Sequence, residues 1–534
     1  MATLPPYVDT VIVGNGPSAL ILSYILHGHI PYYRGGHHDA ILDTKLSASP
    51  SLLDLTPDLY AHFQSSLRYS TQALPINTLL DTLIRPNADT EINPTSCIEW
   101  RSDPRKTTSH IAIGDAAQAG GQWADNPVSA SWDIGTLSYA EMLSLPEYSY
   151  SDHYAETRKV AMPDFIRPSR AEVADYFKAY PAAVGISDSI QTSTTVSGIS
   201  RTSNGFHIAS HGISCKHLVL ASGIFGVNIP PPKLLAPLAG LKSACEPLLI
   251  IGSGFSAADV ILSTHPHRQI IHIFQWMPDQ RPSPLRGCHP TAYPEYATIY
   301  RQMKLAALTC GKRAPSKSPL VRRKSNPFFN SRDWATCYRG LPNATIMDVT
   351  NDNGKYVAKI KLESGEVFET PIGHLEYVVG RRGSLKYLDQ ALQDEVLESS
   401  SPNSEADPAG LISAHTLRTK AESDLEVAPK IFIIGSLAGD SLVRHAVGGC
   451  VYAASQIMDT ASSPTSCSSK TGTTTPVGAT SPTLKTGSPL RANCNAHQDL
   501  HLDRRKLKRS VDIATAENKV WSESGWWGGG WRMP

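Results

Sequence analysis

The chain lacks any apolar run of the roughly 18 residues that a membrane span needs; its longest candidates are broken by Gly, Ser or His. It has almost no net charge. Lys and Arg number 49 against 48 Asp and Glu, a formal +1, so nothing points to a nucleic-acid partner held by charge. Nine cysteines are scattered with no CxxC or CxxxxC pair, which argues against a disulfide framework and against a redox-active dithiol. No metal site is expected either. No Lys or Arg precedes Arg34, so the start has neither the basic flank of a secretory signal nor the arginines of a transit peptide. These absences lead to the expectation of a cytoplasmic protein with free thiols and no membrane span.

At 534 residues the chain exceeds one ordinary core, and a prior of about 150 residues per domain suggests two or three. Residues 461–534 are rich in Ser, Thr, Pro and Gly, a composition that buries too little apolar surface to fold, and are expected to be a disordered tail. The basic run DRRKLKRS (Asp503–Ser510) falls inside it and reads as solvated tail.

What is present is a strand–turn–helix pattern that occurs twice. VDTVIVGNGPSALILSYIL (Val8–Leu26) runs a β-branched strand into Gly14-Asn15-Gly16-Pro17-Ser18-Ala19 and then an apolar helix. PLLIIGSGFSAADVIL (Pro247–Leu262) repeats it around Gly252-Ser253-Gly254-Phe255-Ser256-Ala257. In GxGxxA the first glycine makes the tight turn, and the second lets backbone N–H groups approach a pyrophosphate at the helix N-terminus. One copy is a weak signal; two are strong. They imply an α/β protein with two Rossmann-type dinucleotide-binding domains.

The fingerprint also wants a carboxylate about 20 residues on, at the end of the next strand, to hold a ribose. After the first copy comes PYYRGGHHDAILDTKL, with no convincing strand ending in an acid. HIAIGDAAQAGGQW (His110–Trp123) supplies one: a short apolar strand, Asp115, and a turn at Gly120-Gly121-Gln122-Trp123. The second strand would then be displaced by an insertion of helix and loop from about Gly35 to Thr108, with Asp115 on the ribose. Asp43, after AIL, is the rival. In the second copy QIIHIFQW (Gln269–Trp276) ends without an acid, and Arg268 and Arg281 lie to either side. Arginine can grip a 2′-phosphate bidentately, so the second nucleotide reads as NADPH.

HLVLASGIFGVNIPPP (His217–Pro232) and GHLEYVVGRRG (Gly373–Gly383) read as strands where the chain leaves and re-enters the first domain. They resemble the paired crossings of two-dinucleotide flavoenzymes, and that resemblance implies a discontinuous FAD-binding domain, 1–223 and 381–460, with an NAD(P)H-binding domain, 224–380, inserted. KIFIIGSLAGDSLVRHAVGGCVYAASQIM (Lys430–Met458) closes the ordered part as a strand, a Gly439-Asp440 turn, and a helix opening at Ser441 with Gly448-Gly449 inside it.

Together VIVGNGPSALILSYIL, GGQW, IIGSGFSAADVIL, YPEY (Tyr293–Tyr296) and GSLAGDSLVRHAVGG resemble the oxidative stress-induced growth inhibitor family, flavoproteins similar to class B flavin monooxygenases. The resemblance runs from about Val8 to Met458. It implies FAD at the first turn, touching Gly14, Gly16, Pro17, Ser18, Ala19, Asp115, Gly121, Gln122 and Trp123. It also implies Gly439 and Asp440 at the ribityl chain, and NADPH at Gly252, Gly254, Ser256, Ala257 and Arg281. The implied reaction is monooxygenation of a small-molecule substrate by O2 through a C4a-peroxyflavin, with Arg444 and His445 as candidate catalytic residues. Two departures stand out. The stretch PPPKLLAPLAGLKSACEP lacks the class B FxGxxxHxxx[YFW] pattern, and WDIGTLSYAEMLSLPEY (Trp132–Tyr148) lacks the Asn usual beside the flavin. A flavin-binding regulatory protein of stress or growth control with little turnover is the alternative these departures favour.

Overall fold

The computed structural model describes residues 4–55, 73–87, 94–309, 332–397 and 411–462; the tail beyond them, with its basic run, lies outside. Strand β1 (Tyr7–Val13) is buried on both faces from Thr10 onward, as a central parallel strand must be, which is why its sequence is a nearly continuous β-branched run. Helix α1 (Pro17–Leu26) follows and buries every residue from Ala19 to Leu26. The chain then leaves the sheet. His29–Tyr33 pairs antiparallel with Ile98–Ser102, and between them lie helix Ala40–Ala48 and α2 (Pro75–Ile84). The insertion is therefore not only helix and loop: it carries a two-stranded sheet of its own. The chain rejoins as β2 (His110–Ile113), parallel to β1 with Ile113 opposite Val13.

After α3 (Arg170–Ala183), strand β3 (Ile213–Leu220) pairs parallel with the other edge of β1, Leu220 opposite Val13. The chain crosses out through β4 (Val227–Asn228) into a second, wholly parallel sheet. This is made of β5 (Leu248–Ile251), then α4 (Phe255–Ser263), β6 (Ile270–Phe274), β7 (Tyr338–Pro342) and β8 (His374–Tyr377), in the order β7-β6-β5-β8. It returns through β9 (Arg381–Ser384), which pairs antiparallel with β4, Arg381 opposite Asn228. The two crossings thus lie side by side, at the C-terminal ends of the two stretches singled out in the sequence. Strand β10 (Ile431–Ile433) joins the first sheet beside β3, and α5 (Val447–Ser462) packs on α1 and α2.

One apolar core gathers residues from Val8 to Ile224 with others from Leu385 to Ile457. The second sheet has its own cores on its two faces. Val128 and Leu137, which follow GGQW in the first sequence segment, pack into one of these second cores, so a strap of the first unit is built into the other. In both sheets the strand before the glycine turn is flanked by a strand met later in the chain on each side. The turns therefore sit at carboxyl-end switch points, where open α/β sheets place ligands. No described helix is long and apolar enough to cross a membrane.

Candidate functional site

The first turn is built around a backbone only glycine tolerates. Gly14 has φ +124°, and a Cβ there would lie 2.5 Å from the Ala221 carbonyl oxygen at the end of β3. Asn15 is buried; its amide nitrogen donates to the Ala116 and Gln118 carbonyls, and its own carbonyl accepts the Gly120 N–H at 2.8 Å. This middle residue of the fingerprint therefore ties the turn to the loop after β2, a role the sequence reading gave to no residue. Gly16 occupies the N-cap of α1 with no side-chain cap, and Pro17 has no N–H. The first-turn N–H groups at Ser18 and Ala19 are left facing the turn, a donor set that suits a pyrophosphate. Gly121 closes in from the other side, where an added Cβ would meet the Gly16 Cα at 3.0 Å. Gln122 and Trp123 complete that 3-10 turn, with Trp123 edge-on to Phe177.

Asp115 is exposed two residues beyond the end of β2, on the carboxyl edge of the sheet. Asp43 lies in the insertion instead, outside both parallel sheets. Its Oδ1 accepts the Tyr33 hydroxyl at 2.6 Å and the Gly36 N–H at 3.0 Å, and these bonds hold its carboxyl below the usual range. It is spent on local structure.

The closing segment departs from expectation in where its helix opens, and its polar residues are engaged by protein. The helix opens at Val447, not Ser441; a 3-10 turn, Val443–His445, precedes it, so Gly448 and Gly449 stand in its first turn. The reason is packing, since a Cβ on Gly448 would lie 2.3 Å from the Ile76 carbonyl oxygen of α2. Asp440 is buried with both carboxylate oxygens engaged by protein. Oδ2 accepts the Leu74 N–H at 2.8 Å and the Asn77 amide at 2.6 Å, and Oδ1 accepts Arg418 at 2.7 Å. Gly439, with φ +94°, makes the turn that brings it there. Arg444 binds Asp81 through Nε at 2.9 Å and Nη2 at 2.5 Å, while Arg85 grips the other Asp81 oxygen at 3.0 and 2.6 Å. Burial alone would raise the Asp81 carboxyl, but Arg444 and Arg85 outweigh it and hold it below the ordinary range. His445 is buried beside them, 3.8 Å from Asp81, and burial lowers its pKa. The expected catalytic pair is thus part of a clamp between the insertion and the closing segment. What the closing segment does bring to the first turn is Gly435, φ +65°, where a Cβ would meet the Ser18 hydroxyl at 2.4 Å.

The second turn repeats the first. Gly252 has φ +155°, and its Cβ would lie 2.5 Å from the Val378 carbonyl oxygen. Gly254 caps α4 without a side chain, and Ser256 and Ala257 are buried in the first turn. The Gly252 carbonyl can only accept, so His272 carries its proton on Nε2, 2.7 Å away; Tyr338 then donates to Nδ1 at 2.7 Å. Burial pushes this imidazole down to about 4, so it is neutral. Ser253 Oγ accepts the Gln275 N–H at 2.9 Å, fixing the strand end, and Arg281 reaches the Gln275 side chain at 3.4 Å. Arg268 does not share that place. It precedes β6 and donates to the Ser243 carbonyl at 2.7 Å, at the amino end of the strand, away from the turn.

The YPEY segment joins the two units. Tyr293 donates to the Leu137 carbonyl at 2.9 Å and Glu295 pairs with Arg167 at 2.5 Å, while Arg167 donates to the Thr136 carbonyl at 2.7 Å. Nothing in its sequence says which distant segment it meets.

Compared with known proteins, no family model matches the chain. Its curated relatives are oxidative stress-induced growth inhibitors. The chain is 26% identical over 510 residues to growth inhibitor 1 of Mus musculus, covering 84% of this chain and 95% of the relative. It is 24% identical over 499 residues to growth inhibitor 2 of Homo sapiens, covering 83% and 91%. Among solved structures it is similar to a flavin-containing monooxygenase from Stenotrophomonas maltophilia, at 14% identity and TM-score 0.47, over 85% of this chain and 99% of that one. A bacillithiol disulfide reductase from Staphylococcus aureus matches at 12% identity and TM-score 0.44, over 85% and 99%.

Proposed function

We propose that the chain binds FAD at the first turn and NADPH at the second, and is a flavin-dependent oxidoreductase that passes one oxygen atom of O2 to a small-molecule substrate. The carrying observation is the duplication. Two sheets, each parallel around its glycine turn, place a positive-φ glycine and an uncapped helix N-terminus at a carboxyl-end switch point. Residues 1–223 with 381–460 form the flavin module and 224–380 the nicotinamide module. In the first, Gly14, Gly16, Pro17, Ser18 and Ala19 receive the pyrophosphate, Asp115 the adenosine ribose, and Gly121, Gln122 and Trp123 flank them. In the second, Gly252, Gly254, Ser256 and Ala257 receive the nucleotide and Arg281 its 2′-phosphate. The flavin supplies the redox and oxygen chemistry, so the protein needs to supply position, dryness and charge, and no catalytic dyad is required. The growth-inhibitor relatives fit a flavoprotein reading through the family resemblance. No cysteine pair at CxxC or CxxxxC spacing exists for dithiol chemistry.

A second reading, a flavin-binding regulatory protein with little turnover, is favoured by one observation: Asp440, Arg444 and His445 face internal partners. One experiment separates the two. Purified protein is analysed for FAD released on denaturation, then for NADPH oxidation and O2 uptake with a substrate panel, scoring peroxide against oxygenated product. FAD without NADPH consumption sinks the enzyme reading; colourless, FAD-free protein sinks both.

A further inference from the structure

The second turn is held by more side chains than a tight turn needs. Buried His272, on β6, donates to the Gly252 carbonyl at 2.7 Å, and Tyr338, which opens β7, donates to the other ring nitrogen at 2.7 Å. Buried Ser283 donates to the Ser253 carbonyl at 2.6 Å and accepts the Leu285 N–H at 3.3 Å, capping the 3-10 turn Pro284–Gly287. Ser253 Oγ in turn accepts the Gln275 N–H at 2.9 Å. Segments far apart in the chain thus close on a turn of a few residues.

What these bonds fix is orientation. A trans peptide is planar, with its C=O and N–H antiparallel, and no described peptide bond is cis. A donor on the Gly252 carbonyl therefore turns the Ser253 N–H to the opposite side. A donor on the Ser253 carbonyl does the same for the Gly254 N–H. Neither N–H is donated to a described residue, and Ser253 and Gly254 both keep part of their surface open. Two successive N–H groups held outward before a helix N-terminus are a donor pair suited to phosphate oxygens.

Satisfying buried polar groups does not by itself account for the arrangement. Gly252 is buried, so its carbonyl needs a partner, but Ser253 is half-buried and water could serve its carbonyl. At the first turn the corresponding carbonyl, that of Asn15, is met by the main-chain N–H of Gly120. The second turn gives this task to a side chain.

We propose that His272 and Ser283 are positioning residues of the second turn. They pin its two central peptide planes so that the Ser253 and Gly254 N–H groups meet the phosphate oxygens of a bound ligand, and Tyr338 keeps the imidazole in its donating tautomer. Identifying that ligand as NADPH rests on the functional reading above; the pinning of the turn does not.

The test uses the full-length chain. His272→Leu and Ser283→Ala remove the donors, whereas His272→Gln and Ser283→Thr keep one at the same place. Calorimetry gives the affinity for NADP+ and for inorganic pyrophosphate, and a thermal scan without ligand gives the stability of each variant. His272→Leu and Ser283→Ala should each weaken both probes by about tenfold, the worth of one hydrogen bond to a charged group. His272→Gln and Ser283→Thr should recover most of the loss, and Tyr338→Phe should fall between the parent and His272→Leu. If His272→Leu does not fold, the two Ser283 variants carry the test. Lower melting temperatures with unchanged affinities mark a merely structural role and overturn the proposal. So does a loss that the conservative variants do not recover, or a loss confined to NADP+. A parent that binds NADP+, with every variant unchanged, keeps the functional reading and removes the positioning roles. A parent that binds pyrophosphate but not NADP+, with the same losses, removes the nicotinamide nucleotide and leaves those roles standing. A parent that binds neither overturns both.

Discussion

Asp115→Ala and Asp43→Ala should fail in opposite ways. Asp115 is exposed at the carboxyl edge of β2 and accepts no protein hydrogen bond among the described residues, so removing its carboxylate leaves the fold untouched. If it holds the adenosine ribose, the loss is that of charge-assisted bonds, about 1.5–3 kcal/mol, or roughly 10- to 150-fold in FAD affinity. Asp43 is the reverse. Its carboxylate joins Tyr33 and the Gly36 backbone across the start of the insertion, so its removal should lower the melting temperature and leave FAD affinity within a few-fold of the parent. FAD titration into apoprotein, followed by flavin fluorescence, gives the affinity; a thermal scan of the same apoprotein gives the stability. Measuring both on both variants matters, because an unstable protein also loses flavin. A weakened FAD affinity in Asp43→Ala with a normal Asp115→Ala would refute the placement of the ribose at β2.

Gly14→Ala should cost about 1–3 kcal/mol in backbone strain alone, before its clash with the Ala221 carbonyl, and give colourless, less stable protein. Gly16→Ala, whose Cβ meets nothing nearer than 4.0 Å, should melt like the parent yet bind FAD less tightly, as thermal scans with and without FAD will show. Asp81→Asn leaves buried Arg85 and half-buried Arg444 without their counter-charge and should cost about 3–5 kcal/mol in denaturant unfolding. The native carboxyl titrates below its unfolded value of about 3.9, so its stabilisation is complete above that pH and is lost as pH falls through the lower folded value. Asp81→Asn should therefore show a flatter acid limb of stability than the parent. Arg281→Ala should narrow any preference for NADPH over NADH in flavin reduction, with NADH kinetics unchanged.

Both glycine turns were legible because local backbone chemistry dictates them: a strand that must turn sharply under a helix needs glycine wherever its sequence neighbours happen to lie. The displaced β2 was legible for a related reason, since an acid and a glycine turn follow one short apolar run. Long-range partners were not. Asp81 and Arg85 announce an i,i+4 pair in PINTLLDTLIR, but the residue that shares the carboxylate, Arg444, lies 363 positions away. The sequence alone favours a closing helix that opens at Ser441, directly after the Gly439-Asp440 turn. Tertiary structure overrode it: Asp440 is anchored on α2, and a helix begun at once would draw it off Leu74 and Asn77. The strap around Val128 was missed because its apolar residues match either core equally well.

The insertion is one feature that separates this chain's architecture from two bare strand–turn–helix units, and its energetics explain why it persists. Closing a longer loop between α1 and β2 adds little entropic cost, since that cost grows only with the logarithm of length. In return α2 buries Leu79, Leu80 and Leu83 completely against the first core and clamps the closing segment through Asp81 and Asn77. The polar residues of the closing segment thus act on the protein itself, fixing where α5 begins and how it meets α1. That arrangement favours the regulatory reading without excluding the enzyme, because a bound flavin, on the reading proposed above, would carry the difficult chemistry and ask of this segment a fixed wall, not a proton donor. The choice between enzyme and regulator therefore falls to the second turn. If the second turn holds a nicotinamide nucleotide as proposed, Gly252 at φ +155°, the bare helix N-terminus behind it and the neutral histidine on the turn's carbonyl serve turnover, a need that a protein using flavin only for its fold does not have.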